Sequence, residues 1–405
     1  MKTPEILQNL SPAEVTEKIC ASGLCDYGVF TKPIGEEIKA LLKRHEIHPD
    51  PIAVTAGLNN NDFEHGLLGL LDDRADAILE GMQITAYALG AEHVVLQLPE
   101  GSEESCADAV QKAKERDIEV EYGIVDVRRN RHQMVMHFVA ALSISEYFAG
   151  TYEEGAYVSV CRDGVCEAPK KVPYGTTIAE AVGEVPESRF FAVGQEVFRP
   201  DEIDTAITKD FKIGNGVIRF YPADCCIIQE TEKELLRLRR ESCGKCTFCR
   251  EGFIQFHTTV QAIPKGQGQR DRLDIIREIG DAMTYSTQCS IGMQGQDFVV
   301  GTLDKFQKEY DDHIIRKKCE MQKCTAFQKI YIDPIKCTGC MDCMDVCDQD
   351  AIEGKAKYIH MIDEFECSLC GACIDACEEG AIIHTSERLP KLPTKLTKVG
   401  RFKKR

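Results

Sequence analysis

The chain has 405 residues, enough for two to four domains, and its 43% hydrophobic content supports ordinary packed cores. A formal net charge of −17 argues against nucleic acid as the main partner, because phosphate contacts need a positive field. The 21 cysteines follow an N-terminus without the basic-then-apolar layout of a signal peptide, so they suggest thiols committed to metal in a reducing cytoplasm; no run is apolar enough for a membrane span.

Residues 1–150 alternate helical stretches with short apolar runs such as Val94-Val95-Leu96, the pattern of an α/β layer. Strand signals at 157–160, 190–193 and 217–221, with a strand-to-helix signal across 172–182, crowd into residues 155–223 and suit a small β-grasp-like domain. Residues 225–325 turn helical. There Leu235, Leu236 and Leu238 lie on an amphipathic stretch in which Glu230, Glu232 and Glu234 precede Arg237, Arg239 and Arg240, the order a helix dipole favours. A helical bundle is expected. Gly214-Asn215-Gly216 and Gly266-Gln267-Gly268 read as turns, since a lone GxG outside a strand-helix context makes no nucleotide site.

Within the bundle, Cys243, Cys246 and Cys249 stand at CxxCxxC spacing. A short loop of this kind wraps three corners of an iron-sulfur cube while another segment supplies the fourth ligand. Cys289, in a loop-like stretch between helices, is the expected fourth. Further on, Cys337, Cys340, Cys343 and Cys347 repeat thirty positions later as Cys367, Cys370, Cys373 and Cys377, and Ala351-Ile352 recurs as Ala381-Ile382. The repeat reads as a two-cluster ferredoxin module at 328–385, in which the fourth cysteine of each run crosses to the other cube. One 4Fe-4S set is then Cys337, Cys340, Cys343 and Cys377, and the other Cys367, Cys370, Cys373 and Cys347. Structural zinc, the alternative, wants paired CxxC knuckles rather than triplets. Asp348 and Glu378 replace the proline that usually follows the fourth cysteine.

Cys319 and Cys324 belong to neither cube, and His313 lies just upstream. With Cys225 before the bundle helix they make a Cys3His set suited to tetrahedral zinc, Cys226 being the alternative ligand. The competing reading is that these cysteines pack as small hydrophobes and His313 caps its helix. Residues 386–405 form a basic tail, either solvated or an arm for an acidic partner surface. Cys20, Cys25, Cys161 and Cys166 are CxxxxC pairs that read as unpaired thiols more readily than as redox switches.

The segment Glu-Ser-Cys-Gly-Lys-Cys-Thr-Phe-Cys-Arg-Glu-Gly at 241–252, with Gln-Cys-Ser-Ile-Gly at 288–292 and Glu309-Tyr310-Asp311-Asp312-His313, resembles the NADH-binding flavoprotein subunit of complex I. Relatives of that subunit occur in soluble NAD-linked hydrogenases, formate dehydrogenases and bifurcating complexes, often with an added two-cluster ferredoxin. The resemblance implies a multidomain α+β fold: a flavin-type α/β domain, a soluble-ligand-binding β-grasp domain, a helical iron-sulfur bundle and the ferredoxin domain. It also implies a zinc joint like the one formed by the His313 group, and partners such as a thioredoxin-like 2Fe-2S subunit, a hydrogenase or formate dehydrogenase subunit, or free ferredoxin.

The flavin end departs from the family. After Ala21-Ser22-Gly23-Leu24, the family's dense glycine and arginine run is replaced by Cys25-Asp26-Tyr27-Gly28-Val29-Phe30-Thr31-Lys32-Pro33, whose bulk opposes close backbone approach to a phosphate. Glu80-Gly81-Met82 and 86–91 still resemble the family's helix, but Gly57-Leu58-Asn59-Asn60-Asn61 stands where its acidic segment should be, and Gln97-Leu98-Pro99-Glu100 leads on without the second glycine-rich region. The chain is therefore expected to lack FMN and NAD and to relay single electrons through three 4Fe-4S clusters, with no catalytic residue of its own. The rival readings are an FMN-containing NADH dehydrogenase subunit and a redox sensor or assembly protein. Lys245 and Arg250 beside the bundle cluster, against Asp342, Asp345, Asp348, Asp350, Asp375, Glu378 and Glu379 around the ferredoxin cubes, predict lower potentials in the ferredoxin module.

Overall fold

A computed structural model describes residues 4–28, 32–125 and 132–403. The chain divides into two compact units, one built from Met1–Asp224, Glu234–Gln255 and Ile275–Lys305, the other from Cys225–Lys233, Phe256–Asp274 and Phe306–Arg405.

The first unit holds a parallel four-stranded sheet whose strands lie in the order Glu119–Tyr122, His93–Leu98, Ala53–Gly57, Gln133–His137. The two central strands are buried almost throughout, as strands of a helix-covered parallel sheet are. Helix Pro12–Ser22 is delimited by its sequence: Ser11 and Glu14 form a capping box, proline opens the first turn, and Gly23 ends the helix at φ 65°. Helix Leu70–Leu89 packs on Phe138–Ala149 so closely that a Cβ at Gly81 would sit 1.8 Å from the Ala141 carbonyl oxygen. Only glycine fits that crossing.

A second, six-stranded sheet follows. Ala156–Arg162 runs parallel to Val217–Pro222, which pairs antiparallel with Ser188–Val193, and Glu196–Phe198 folds back on the latter. Val165–Cys166 and Lys170–Val172 both pair with the first of these strands. The hairpin register sets Cys161 opposite Cys166, and the two form a disulfide, which corrects the reading of them as unpaired thiols. Five further helices follow, Ile227–Glu241, Thr247–Ala262, Asp271–Ser286, Ser290–Lys305 and Gln307–Ile314. In the first unit Arg219, 7% exposed, bridges Glu64 and Glu234 at 3.2 Å each, and so ties the second sheet to the loop at 64 and to the later part of helix Ile227–Glu241. None of the described helices is long and apolar enough to cross a membrane.

In the second unit the cysteine repeat folds as a repeat. Strand Lys329–Ile332 pairs with Ile382–Thr385, Ile352–Glu353 pairs with Met361–Ile362, and two short helices, Asp342–Asp345 and Ala372–Asp375, carry the third cysteine of each run. The basic tail is not a free arm in its described part. Ile359 N–H donates to the Thr397 carbonyl at 2.9 Å, Val399 N–H donates to Lys357 at 3.2 Å, and Phe402 packs on the module's own core. Lys404 and Arg405 lie outside the described residues.

Candidate metal centres

Three groups of four cysteines converge, each within a single unit. In the first unit Cys243, Cys246 and Cys249 lie on the loop and first turn of helix Thr247–Ala262, and Cys289 immediately precedes helix Ser290–Lys305. Burial, opposed by a hydrogen bond to Ser242, and the neighbouring thiols of Cys289, Cys246 and Cys243 push Cys249 up to about 11. Cys289 is raised mainly by burial, which is opposed by the N–H groups of Ile291 and Gly292 and by the Asn60 side chain. Gly292 is required here, since a Cβ would meet Thr287 at 2.5 Å. Arg250 pairs with Glu251 at 2.8 Å and donates to the Gly244 carbonyl at 3.0 Å, so part of its charge is compensated locally.

In the second unit one cavity is lined by Cys337, Cys340, Cys343 and Cys377, and another of about 160 Å³ by Cys347, Cys367, Cys370 and Cys373. Burial pushes Cys343 up to about 12, helped by the thiols of Cys337, Cys340, Cys373 and Cys377. Burial likewise raises Cys373, next to Cys367, Cys370 and Cys347. Thiols packed together out of water resist ionising unless a cation compensates them, and thiolates are what an iron-sulfur cube needs. The donor sets therefore fit 4Fe-4S cubes. The seven acids named around the module are all exposed, so water screens much of their effect on potential.

A fourth group is smaller. Cys226, His313, Cys319 and Cys324 are all buried, and their ligand atoms lie within 4.8 Å of one another. The structure brings Cys226 into this group and not Cys225, which corrects the ligand order read from sequence. Cys226 Sγ is 3.7 Å from Cys324 Sγ and 3.4 Å from His313 Nε2, and Cys324 Sγ is 3.5 Å from the same nitrogen. A tetrahedral zinc with ordinary bond lengths has edges of about 3.8 Å between sulfurs and about 3.6 Å from sulfur to nitrogen. His313 Nδ1 lies 2.8 Å from the Glu309 carbonyl, to which it donates, leaving the Nε2 lone pair for a metal. Held this close, the thiols shift in opposite senses: hydrogen bonding with Cys226 lowers Cys319 and raises Cys324.

Two segments of the chain match known families. Residues 233–313 match the NADH-ubiquinone oxidoreductase-F iron-sulfur binding region, and residues 329–381 match the 4Fe-4S dicluster domain. These two segments are homologous to the iron-sulfur region of the F-type subunits and to the dicluster domain. It is 31% identical over 209 residues to the NADP-reducing hydrogenase subunit HndC of Solidesulfovibrio fructosivorans, covering 49% of this chain and 43% of that one. It is 25% identical over 166 residues to the alpha subunit of the NAD-reducing hydrogenase HoxS of Cupriavidus necator, covering 38% of this chain and 27% of that one. The chain thus spans less than half the length of these curated relatives. Its fold is shared with a chain of an NAD+-reducing NiFe hydrogenase crystallised in the H2-reduced state, at a TM-score of 0.62 and 15% identity, over 78% of this chain and 65% of that one.

Around residues 24–28 the first unit is filled by side chains. Tyr27 is buried and donates its hydroxyl to the Tyr157 carbonyl; Asp26 accepts from the N–H groups of Tyr27 and His137, each at 2.9 Å. Burial pushes the Asp26 carboxyl up to about 7. Val29, Phe30 and Thr31 lie outside the described residues. Asn61 N–H donates to Ser290 Oγ at 3.1 Å and its side chain to Gln294 at 3.3 Å, so the asparagine run braces the loop that presents Cys289. Sequence reading missed this brace, because asparagine in a turn carries no spacing signal.

Proposed function

We propose that this chain is an iron-sulfur relay subunit of an oxidoreductase complex, without a flavin of its own. The carrying observation is the convergence of twelve cysteines into three separate groups of four, in the combinations a bundle cluster and two cross-ligated ferredoxin cubes require. When bound, the clusters accept and release single electrons. The chain's part is to hold the thiolates, to bury Cys246, Cys249, Cys337, Cys343 and Cys373, and to leave Cys243, Cys340 and Cys370 exposed.

The His313 group is proposed as structural zinc, supported by the match of its ligand spacings to a tetrahedron and by the Glu309 contact that fixes the histidine. A closed set of four protein ligands leaves no position for substrate. Residues 1–150 are proposed as a flavin-type scaffold that has lost its cofactor, 155–223 as a β-grasp domain, 225–325 as the cluster bundle, 328–385 as the ferredoxin domain and 386–405 as its basic tail. Loss of FMN is supported by Tyr27, which occupies interior space, and by the buried Asp26 carboxyl, which would oppose a phosphate. Relatives are named as hydrogenase subunits, and we take the same class of assembly for this chain, with another redox subunit as donor or acceptor, in the cytoplasm.

Anaerobic titration of the purified chain with NADH tests this reading. Cluster absorbance should stay unchanged with NADH and bleach with dithionite. Bleaching by NADH, with a flavin signal beneath it, would make the chain an NADH dehydrogenase subunit instead.

A further inference from the structure

His360 stands apart from every motif in the sequence, yet it reaches one of the cysteine groups. It is 1% exposed and lines the same cavity as Cys337, Cys340, Cys343 and Cys377. Its Nδ1 is 3.2 Å from Cys343 Sγ, well inside hydrogen-bonding range for sulfur. A Cβ added at Gly354 would lie 2.0 Å from the ring's Cδ2, so the absence of a side chain there is what lets the imidazole lie where it does. Nε2 is buried and has no hydrogen-bond partner, while the Lys355 backbone lies beside the ring. A neutral imidazole has one N–H, and carried on Nδ1 that N–H meets the Cys343 sulfur.

We propose that His360 is a positioning residue that donates its Nδ1–H to the Cys343 thiolate and thereby favours the reduced form of that cube over its neighbour. The proposal rests on the reading that Cys337, Cys340, Cys343 and Cys377 hold a 4Fe-4S cube. A donor aimed at a ligand sulfur withdraws negative charge from it, which stabilises the state carrying the extra electron. Ala381 N–H already points at Cys377 Sγ at 3.4 Å, so His360 adds a side-chain donor to a backbone one in the same group. The repeat makes the contrast internal: thirty positions before His360 stands Ile330, which lines the cavity of the other four cysteines and has no side-chain donor to give. Two cubes with matching cysteine spacing thus differ at this one contact, which gives electrons a preferred resting place within the pair.

The test is a redox titration of the full anaerobic chain followed by EPR, comparing wild type with His360→Phe and His360→Asn. Phenylalanine keeps a flat ring without a donor, and the asparagine amide can place an N–H near the position of Nδ1. In His360→Phe the reduced-to-oxidised ratio of one ferredoxin cube should fall about tenfold at fixed potential, a shift of about 59 mV for a one-electron couple. The other two clusters should not move, and His360→Asn should recover most of the shift. Pulsed EPR of reduced wild type carrying isotope-labelled histidine gives a second readout that needs no variant: one cube should show a histidine nitrogen coupling. Unmoved potentials in the phenylalanine variant, or the absence of that coupling, would overturn the proposal. Loss of all ferredoxin-type EPR signal in wild type would instead defeat the cluster reading beneath it.

Discussion

Replacing Cys226 and Cys225 separately by alanine sets two adjacent cysteines, both buried, against each other. Cys226 Sγ makes the 3.4 and 3.7 Å contacts of the four-ligand group, whereas Cys225 is not part of it. A structural zinc in a small site is worth about 10–16 kcal/mol; shared over four ligands, that is about 3 kcal/mol each, or about a hundredfold in affinity. Cys226→Ala should therefore weaken zinc about a hundredfold and, with zinc saturating the parent, lower the stability of the second unit by about 3 kcal/mol. Cys225→Ala removes a similar volume without touching the metal and should cost about 1 kcal/mol with affinity unchanged. The assay is zinc retained per chain during competition with a chromogenic chelator, with thermal unfolding alongside. Equal zinc retention in both variants, or loss confined to Cys225→Ala, would refute the assignment.

Cys289→Ala should reduce the iron content from about twelve to about eight per chain, with both ferredoxin EPR signals intact. Asp26, raised to about 7 by burial, binds its proton in the folded chain where the unfolded chain has released it, so stability should fall as pH rises from about 4 to 7. Asp26→Asn should flatten that slope in denaturant titrations across the window. Met341 sits at φ 91°, while its repeat counterpart Gly371 sits at φ 82°. Met341→Gly should relieve backbone strain and stabilise the ferredoxin module by about 1 kcal/mol, read as a higher urea midpoint.

The ferredoxin module was legible because ligand spacing is a local property: CxxCxxC loops wrap a cube wherever they occur, and the thirty-residue repeat placed each fourth cysteine. Cys289 could be inferred because it was unemployed and lay between helices. The choice between Cys225 and Cys226 could not, since it depends on the direction from which helix Ile227–Glu241 is entered, and neighbouring side chains at such a start point different ways. The Cys161–Cys166 pairing depends on a hairpin register that only the folded sheet supplies. In the parallel sheet, Val94-Val95-Leu96 marked one strand, but buried parallel strands look alike in sequence and their order did not follow. The tail misled because its composition is that of a solvated segment; a few backbone hydrogen bonds and Phe402 decide its course. His360 carried no signal, because its role comes from a contact 17 residues from the cysteine it meets.

The measurement that bears most directly on the whole account is the quantity of iron, zinc and flavin per chain after anaerobic purification. About twelve irons, one zinc and no FMN are predicted, at four irons per cube. One FMN per chain would contradict the relay reading, and about eight irons would remove one of the three cysteine groups from service as a cluster site.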